Sequence, residues 1–276
     1  MTNSLLNSNK FWQFKSVLFR LTTKLKLRSD IENVIYLNWL IPKERIENLL
    51  PSNVKIEEHN GLVLLTVLTY KHGNFAPAIL GPLRVFFGSP YQSNWRLYSS
   101  YPWENRDSSE GTVLFLKNIL SSFIYTIGSR IMSNVLQSQC AKIFNFKKND
   151  NSYFVDINPG EANFPRLKFE CKEESNWNFE DRYSEIFQNR TNLLKAICFQ
   201  EYALTELPIN NWLCRGRIKL EFDENEIKPL NLVSLEGTQF QQWIDGAPFF
   251  GFVIPHVKFT SLGETIIKDG NTVYSQ

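Results

Sequence analysis

The chain reads as an α+β protein built mainly on antiparallel β-structure, and three observations lead there. Aromatic and β-branched runs dominate after Glu32, few segments carry a helical period, and nothing alternates in the βαβ rhythm of a parallel sheet. With 276 residues, 43% of them hydrophobic and 14% aromatic, one large domain can bury a sizeable core. The expected architecture is an antiparallel sheet or half-barrel carrying a few helices.

Residues 1–30 stand apart from a single domain at 31–276. Phe11, Phe14, Leu18, Leu21 and Leu25 recur at three- and four-residue spacing, which is helical. Lys10, Lys15, Arg20, Lys24, Lys26 and Arg28 supply charge, with no acidic residue before Asp30. Two readings stay open. The segment is a basic amphipathic helix lying on an anionic membrane surface, or its apolar stripe docks on the protein's own body while the basic face is solvated. Docking is preferred, because most amphipathic helices of globular proteins face a core.

Val34–Ile41 is an aromatic and β-branched strand, and Pro42 opens a short helix at Lys43–Leu50. Val54–Glu58 and Leu62–Tyr70 flank Asn60-Gly61, a strong hairpin signal. Glycines and prolines punctuate residues 73–90, a long loop of the kind that usually has a function in a compact domain. Strands at Gln92–Tyr101 and Thr112–Leu116 enclose a turn at 105–111, and Leu120–Val135 is a helix. Gln139–Phe146 and Tyr153–Ile157 form a hairpin, Arg166–Cys171 a strand, and Asn178–Gln188 a helix with Asn178 as N-cap. Strands at Ala196–Ala203, Trp212–Phe222 and Phe249–Phe259, with a short helix at Gly237–Ile244, complete the set.

Several function classes lose support. A formal charge of +2 is too small an excess to predict a nucleic-acid surface. Cys140, Cys171, Cys198 and Cys214 have no tight spacing and read as reduced thiols, and three scattered histidines make a metal centre unexpected. No cofactor is expected either. No stretch approaches the ~20 apolar residues of a membrane span, and the N-terminus lacks signal-peptide shape, so the expected compartment is the cytosol. Walker, G-x-G-x-x-G, G-x-S-x-G and H-E-x-x-H motifs are absent.

The most informative segment is Gln92-Ser93-Asn94-Trp95-Arg96-Leu97-Tyr98. In a strand Gln92, Asn94, Arg96 and Tyr98 share one face, and Trp95 and Leu97 the other. Two amides, a guanidinium and a phenol are poor material for a dry core, so their face is solvated or lines a cavity; the residues alone leave this even. Arg130, after Gly128-Ser129 on the apolar helix, points into a pocket or snorkels at its rim. Glu201, in the apolar strand, needs a partner that Arg215 and Arg217 could supply, and an ordinary cross-strand ion pair is the plainer reading.

The run Tyr36–Glu58, with N-W-L-I-P-K-E-R-I-E-N-L-L-P, resembles the opening of the YqjF-like domain of unknown function. Q-S-N-W-R-L-Y is similar to that family's E-x-N-x-R-x-Y segment, and E-G-T-V-L-F-L-K, I-G-S-R and F-Q-E-Y-A-L follow in the family's order. The resemblance covers about residues 32–260. It implies a distant kinship to acetoacetate decarboxylase, a β cone or half-barrel, and a central cavity faced by Asn94, Arg96 and Tyr98. A small anionic or carbonyl-bearing ligand is then expected, held by residues drawn from Gln92, Asn94, Arg96, Tyr98, Arg130 and Glu201; the alternative the resemblance implies is a lyase or hydrolase with Glu201 or Tyr98 as acid/base. Two departures matter. The family's acid is Gln92 here, and Val135-Leu136-Gln137-Ser138 stands where the decarboxylases carry a lysine pair, so Schiff-base decarboxylation is not expected.

Overall fold

The computed structural model describes residues 7, 8, 10, 11, 15, 26–52, 54–99, 111–160, 164–208 and 212–268, and the backbone of 271–275. Its strands are β1 (Leu27–Pro42), β2 (Leu62–Lys71), β3 (Ala76–Pro77), β4 (Tyr91–Ser99), β5 (Gly111–Leu120), β6 (Ser138–Cys140), β7 (Ile143–Asn149), β8 (Ser152–Asn158), β9 (Leu167–Glu173), β10 (Gln200–Glu206), β11 (Leu213–Glu221), β12 (Lys228–Glu236), β13 (Phe249–Lys268) and β14 (Asn271–Ser275). The helices are α1 (Phe123–Met132), α2 (Asp181–Phe187), α3 (Arg190–Cys198) and α4 (Thr238–Ile244).

The expected half-barrel closes on itself. Strands run β1-β2-β4-β5-β10-β11-β13, and β13 returns to pair with β1, so seven strands form a ring among the described residues. The pairing is antiparallel except between β5 and β10. Closure depends on the length of β13, which pairs with β1 over Phe249–Thr260 and with β11 over Lys258–Ile267. A second antiparallel sheet, β12-β9-β8-β7, extends from β13.

The two faces of each barrel strand build two cores, because strand side chains alternate. Ile35, Leu37 and Trp39 of β1 and Trp95 and Leu97 of β4 join Tyr153, Phe169, Phe240 and Trp243 of the covering sheet and α4. Tyr36 and Leu40, Tyr70, Tyr98 and Phe252 belong to the other core, onto which α2 and α3 pack Tyr183, Leu193 and Ile197. Each large aromatic buried this way contributes roughly 1.5–3 kcal/mol.

Local departures have physical causes. Asn60 and Gly61 take φ of 53° and 81°, as the hairpin signal predicts, but residues 54–58 make only an isolated bridge from Ile56 to Ser99. Lys43–Leu50 forms two short 3₁₀ turns. Ala196–Cys198 is helix and not strand: the Asn189 side chain caps α3 by accepting from Asn192 N, and Leu193 and Ile197 bury one face. The N-cap of α2 is Glu180 rather than Asn178. β12 is interrupted by a bulge between Leu232 and Ser234, which breaks its period of two and hides it in the sequence. The proposed turn at 105–111 falls, except for Gly111, outside the described residues.

In the N-terminal segment, Lys10, Phe11 and Lys15 have helical backbone. Phe11 is half-buried, and Phe14, Leu18, Leu21 and Leu25 lie outside the described residues. Lys15, assigned above to a solvated basic face, is instead buried at 1% exposure, its ammonium hydrogen-bonded to Ser133 O at 2.8 Å.

Candidate functional site

Inside the barrel, β1, β2, β4, β5, β11 and β13 line a cavity of about 60 Å³. A water centre needs about 10–15 Å³ of such space, so the cavity has room for a handful of non-hydrogen atoms. Its wall is largely apolar, with Leu68, Phe115, Val135, Ile218 and Val257 among its residues. Against this background Tyr36, Tyr70, His72, Gln92, Asn94 and Arg96 form one polar patch.

Pairing explains the patch. In β2 against β4, Tyr70 lies opposite Gln92, Leu68 opposite Asn94 and Thr66 opposite Arg96. Arg96 is 3% exposed. Its Nη2 donates to Ile197 O at 2.9 Å and to Tyr98 Oη at 3.3 Å, while Nε has no hydrogen-bond partner. The guanidinium lies 5.5 Å from the ring centroids of both Tyr36 and Tyr98. Among the described residues no carboxylate pairs with it. Burial acts to lower its pKa, but Tyr98 and Tyr36 outweigh that effect and the pKa is raised, so Arg96 stays charged.

Tyr98 shares the strand face yet does not line this cavity. Its hydroxyl accepts from Arg96 and lies 3.0 Å from Thr66 Oγ1. Thr66 gives its single proton to Asn38 Oδ1, so Tyr98 is the donor in that contact. The phenol therefore supports Arg96 from behind.

Gln92 and Asn94 belong to a chain of buried hydrogen bonds. His72 Nε2 is 2.7 Å from Gln92 Oε1, Gln92 Nε2 donates to Asn94 Oδ1 at 2.7 Å, and Asn94 Nδ2 donates to Tyr70 Oη at 3.1 Å. At the other end Ser29 Oγ is 2.8 Å from His72 Nδ1. Burial lowers the His72 pKa to about 4, despite the hydrogen bond to Gln92, so the ring is neutral at physiological pH. Burial also raises the pKa of Tyr70, which remains a neutral phenol.

A second polar cluster occupies another part of the wall, where α1 ends. The half-buried Glu264 accepts from the Ser133 hydroxyl, from Asn134 N at 2.7 Å and from Val135 N at 3.4 Å. Lys15 lies beside it. Burial lowers the Lys15 pKa to about 7, against the opposing pull of Glu264. None of the described lysines lines the cavity.

Two candidates lie elsewhere. Arg130 is buried at 1% exposure, but it faces a separate polar cavity of about 160 Å³ together with Lys117, Asn118 and Gln139. There it donates to Asn7 Oδ1 at 2.8 Å and sits over the Phe11 ring. It points one way from its helix, and the cavity it meets is the second one. Glu201 does not line the barrel cavity: half-exposed, it pairs with Arg217 at 3.3 Å, the ordinary ion pair of the plainer reading. Sequence reasoning missed Tyr36, Tyr70 and His72. The available signal was register, since Leu62–Tyr70 is the strand nearest before Gln92–Tyr98 and its even positions pair onto the same face.

A family model described as an uncharacterised conserved protein, DUF2071, matches residues 28–193, more than half of the chain. The chain belongs to the DUF2071 family. This is the YqjF-like family that the Tyr36–Glu58 and Gln92–Tyr98 runs resemble. No curated protein matches the sequence. Among solved structures, an acetoacetate decarboxylase-like enzyme from Sphingomonas wittichii RW1 is similar with TM-score 0.57 and 7% identity, covering 89% of this chain and 93% of that one. Acetoacetate decarboxylase from Legionella pneumophila is similar with TM-score 0.56 and 9% identity over 90% and 87%. The enduracididine biosynthesis enzyme MppR complexed with pyruvate is similar with TM-score 0.53 and 9% identity over 88% and 91%. At these identities the DUF2071 chain shares with them the acetoacetate decarboxylase-like fold, α+β with a mainly antiparallel barrel.

Proposed function

We propose that the barrel cavity of this DUF2071 chain binds a small carboxylate through Arg96, without Schiff-base decarboxylation. One observation carries the reading: a guanidinium is buried against the barrel cavity and no described carboxylate pairs with it, since Glu264 on the same wall is bound by Ser133, Asn134 and Val135. A buried charge is costly unless paired, and an arginine fork suits a carboxylate. The pyruvate complex of the similar MppR fold supports the size and charge of such a ligand. The lysine-free stretch Val135–Ser138 and the absence of any described lysine from the cavity wall argue against an imine.

Isothermal titration with pyruvate tests the reading. Binding is expected for the natural chain, and Arg96→Met should weaken it by about 100-fold, the value of a charge-assisted hydrogen bond. Equal affinity in the two proteins would refute the role of Arg96. Borohydride added with pyruvate should leave the protein mass unchanged, and a reduced adduct on Lys15 would overturn the exclusion of imine chemistry.

A second reading rests on the surface at Ala78–Phe86. Ile79 and Phe86 are 81% and 82% exposed, and Ile124 at the start of α1 is 79% exposed. With the basic residues of segment 1–30, this apolar surface would suit a peripheral membrane contact. No described helix is long and apolar enough to cross a membrane. Co-sedimentation with anionic vesicles, lost in Phe86→Ser, is the outcome that would favour this reading.

A further inference from the structure

The chain from Ser29 to Tyr70 has a direction. Gln92 spends an amide N–H on Asn94 Oδ1, so its oxygen faces His72 Nε2 at 2.7 Å. Two lone pairs cannot meet at that distance, and Nε2 must carry the proton. The ring is neutral and holds only that one, so Nδ1 is the acceptor and the Ser29 hydroxyl donates to it. The longer contact from Ser29 Oγ to Gly73 O, 3.2 Å, gives way to this bond.

Each link then donates toward the cavity: Ser29 to His72, His72 to Gln92, Gln92 to Asn94, and Asn94 to Tyr70. All five residues are buried, at 7% exposure or less. Tyr70 Oη ends the chain as an acceptor, and its own O–H is the hydroxyl donor of the series that no other member consumes. Tyr70 lines the cavity, and so does Arg96, two residues beyond Asn94 on the neighbouring strand. The cavity thus offers a charged fork and, beside it, a neutral hydroxyl donor.

We propose that Tyr70 is a second ligand contact, donating its phenolic hydrogen to a carbonyl oxygen, so that the cavity selects small oxo carboxylates over carboxylates lacking that oxygen. The proposal rests on the reading of Arg96 given above. Gln92 and Asn94 act through Tyr70 as positioning residues: aligned donors strengthen one another, and Asn94 holds the phenol oxygen in place. The reverse orientation of the chain would turn the Tyr70 hydrogen toward Asn94 and leave the cavity without this donor. Ligand preference therefore reports the direction.

Pyruvate and propanoate form the test pair, since they share the carboxylate and differ by the keto oxygen. Calorimetric titration of the natural chain should give a preference for pyruvate of about five- to tenfold, the value of one neutral hydrogen bond. Tyr70→Phe should abolish the preference while leaving propanoate affinity within about twofold. Gln92→Met should reduce the preference in the same direction, again with propanoate binding kept. A thermal melt of each variant confirms that it is folded. Equal binding of the two acids by the natural chain, or a preference that survives Tyr70→Phe, overturns the inference and leaves Arg96 as the carboxylate contact. Failure of both acids to bind overturns the Arg96 reading itself, and this inference with it.

Discussion

Two charges, one buried and one half-buried, face the same cavity and are treated in opposite ways. Glu264 is surrounded by donors: the Ser133 hydroxyl, the Asn134 and Val135 amides, and the Lys15 ammonium nearby. Arg96 is surrounded by a carbonyl, a phenol and two aromatic rings, none of which carries negative charge at neutral pH. A buried charge whose complement comes from the same chain reads as structure, because removing either partner strands the other. A buried charge whose complement is missing reads as a site, because something from outside must neutralise it. The acid ties the end of α1 to β13; under the proposed function, the base is kept for a ligand.

The sharpest way to break this contrast is to delete each charge and measure stability without ligand. Glu264→Ala should lower stability by about 2–3 kcal/mol, since it leaves the Ser133 hydroxyl and two backbone amides without their acceptor and removes the charge opposite the buried Lys15. Arg96→Met should change stability by less than about 1 kcal/mol, or raise it, since no acid is left behind. Urea denaturation gives both values. A large loss in Arg96→Met would mean that the guanidinium does structural work and that the two charges are alike.

The next effect is a pH dependence above neutrality that Lys15 adds on the Glu264 side. Lys15 titrates near 7 in the folded chain against an ordinary 10.5, so between those values the unfolded chain binds more protons. Stability must then rise with pH across that window, and it is lowest where both forms are protonated, below about pH 7. From pH 7 to pH 9 the gain is about 2 kcal/mol. Lys15→Met should flatten this slope, while Arg96→Met should keep it. A melting-temperature profile that is the same in natural and Lys15→Met proteins would show the amine to be solvated.

Much of the Arg96 side was legible in the sequence, and most of the Glu264 side was not. Strand alternation alone places Gln92, Asn94, Arg96 and Tyr98 on one face and Trp95 and Leu97 on the other, and the two cores divide along that line. Tyr70 and His72 were one register assignment away. The Glu264 side brings together a residue of the N-terminal segment, the end of α1 and a strand read only as far as Phe259. No periodicity predicts that meeting, which depends on barrel closure through β13. Glu201 makes the cross-strand ion pair of the plainer reading, whereas the apolar run from Ala196 is part helix and part strand because the Asn189 cap starts a helix before it. Arg130 could be read as entering a pocket or snorkelling at its rim, with no sign that it would be buried against a second cavity.

The smallest expected effect separates sharing a strand face from lining a cavity, and Tyr98 is the residue that does so. Its hydroxyl accepts from Arg96 and donates to Thr66, which itself donates to Asn38, so the phenol is one link in a buried network behind the guanidinium. Tyr98→Phe removes that link without opening a cavity, because the ring is kept. The cost should be about 1 kcal/mol, an ordinary hydrogen bond. Arg96 retains its bond to Ile197 O and its place beside Tyr36, so carboxylate affinity should change by less than about twofold. Paired measurements, a urea titration and a propanoate titration on the same variant, give the two numbers. If affinity falls tenfold while stability is kept, Tyr98 reaches the ligand, and the four polar residues of β4 act together as the strand pattern first suggested.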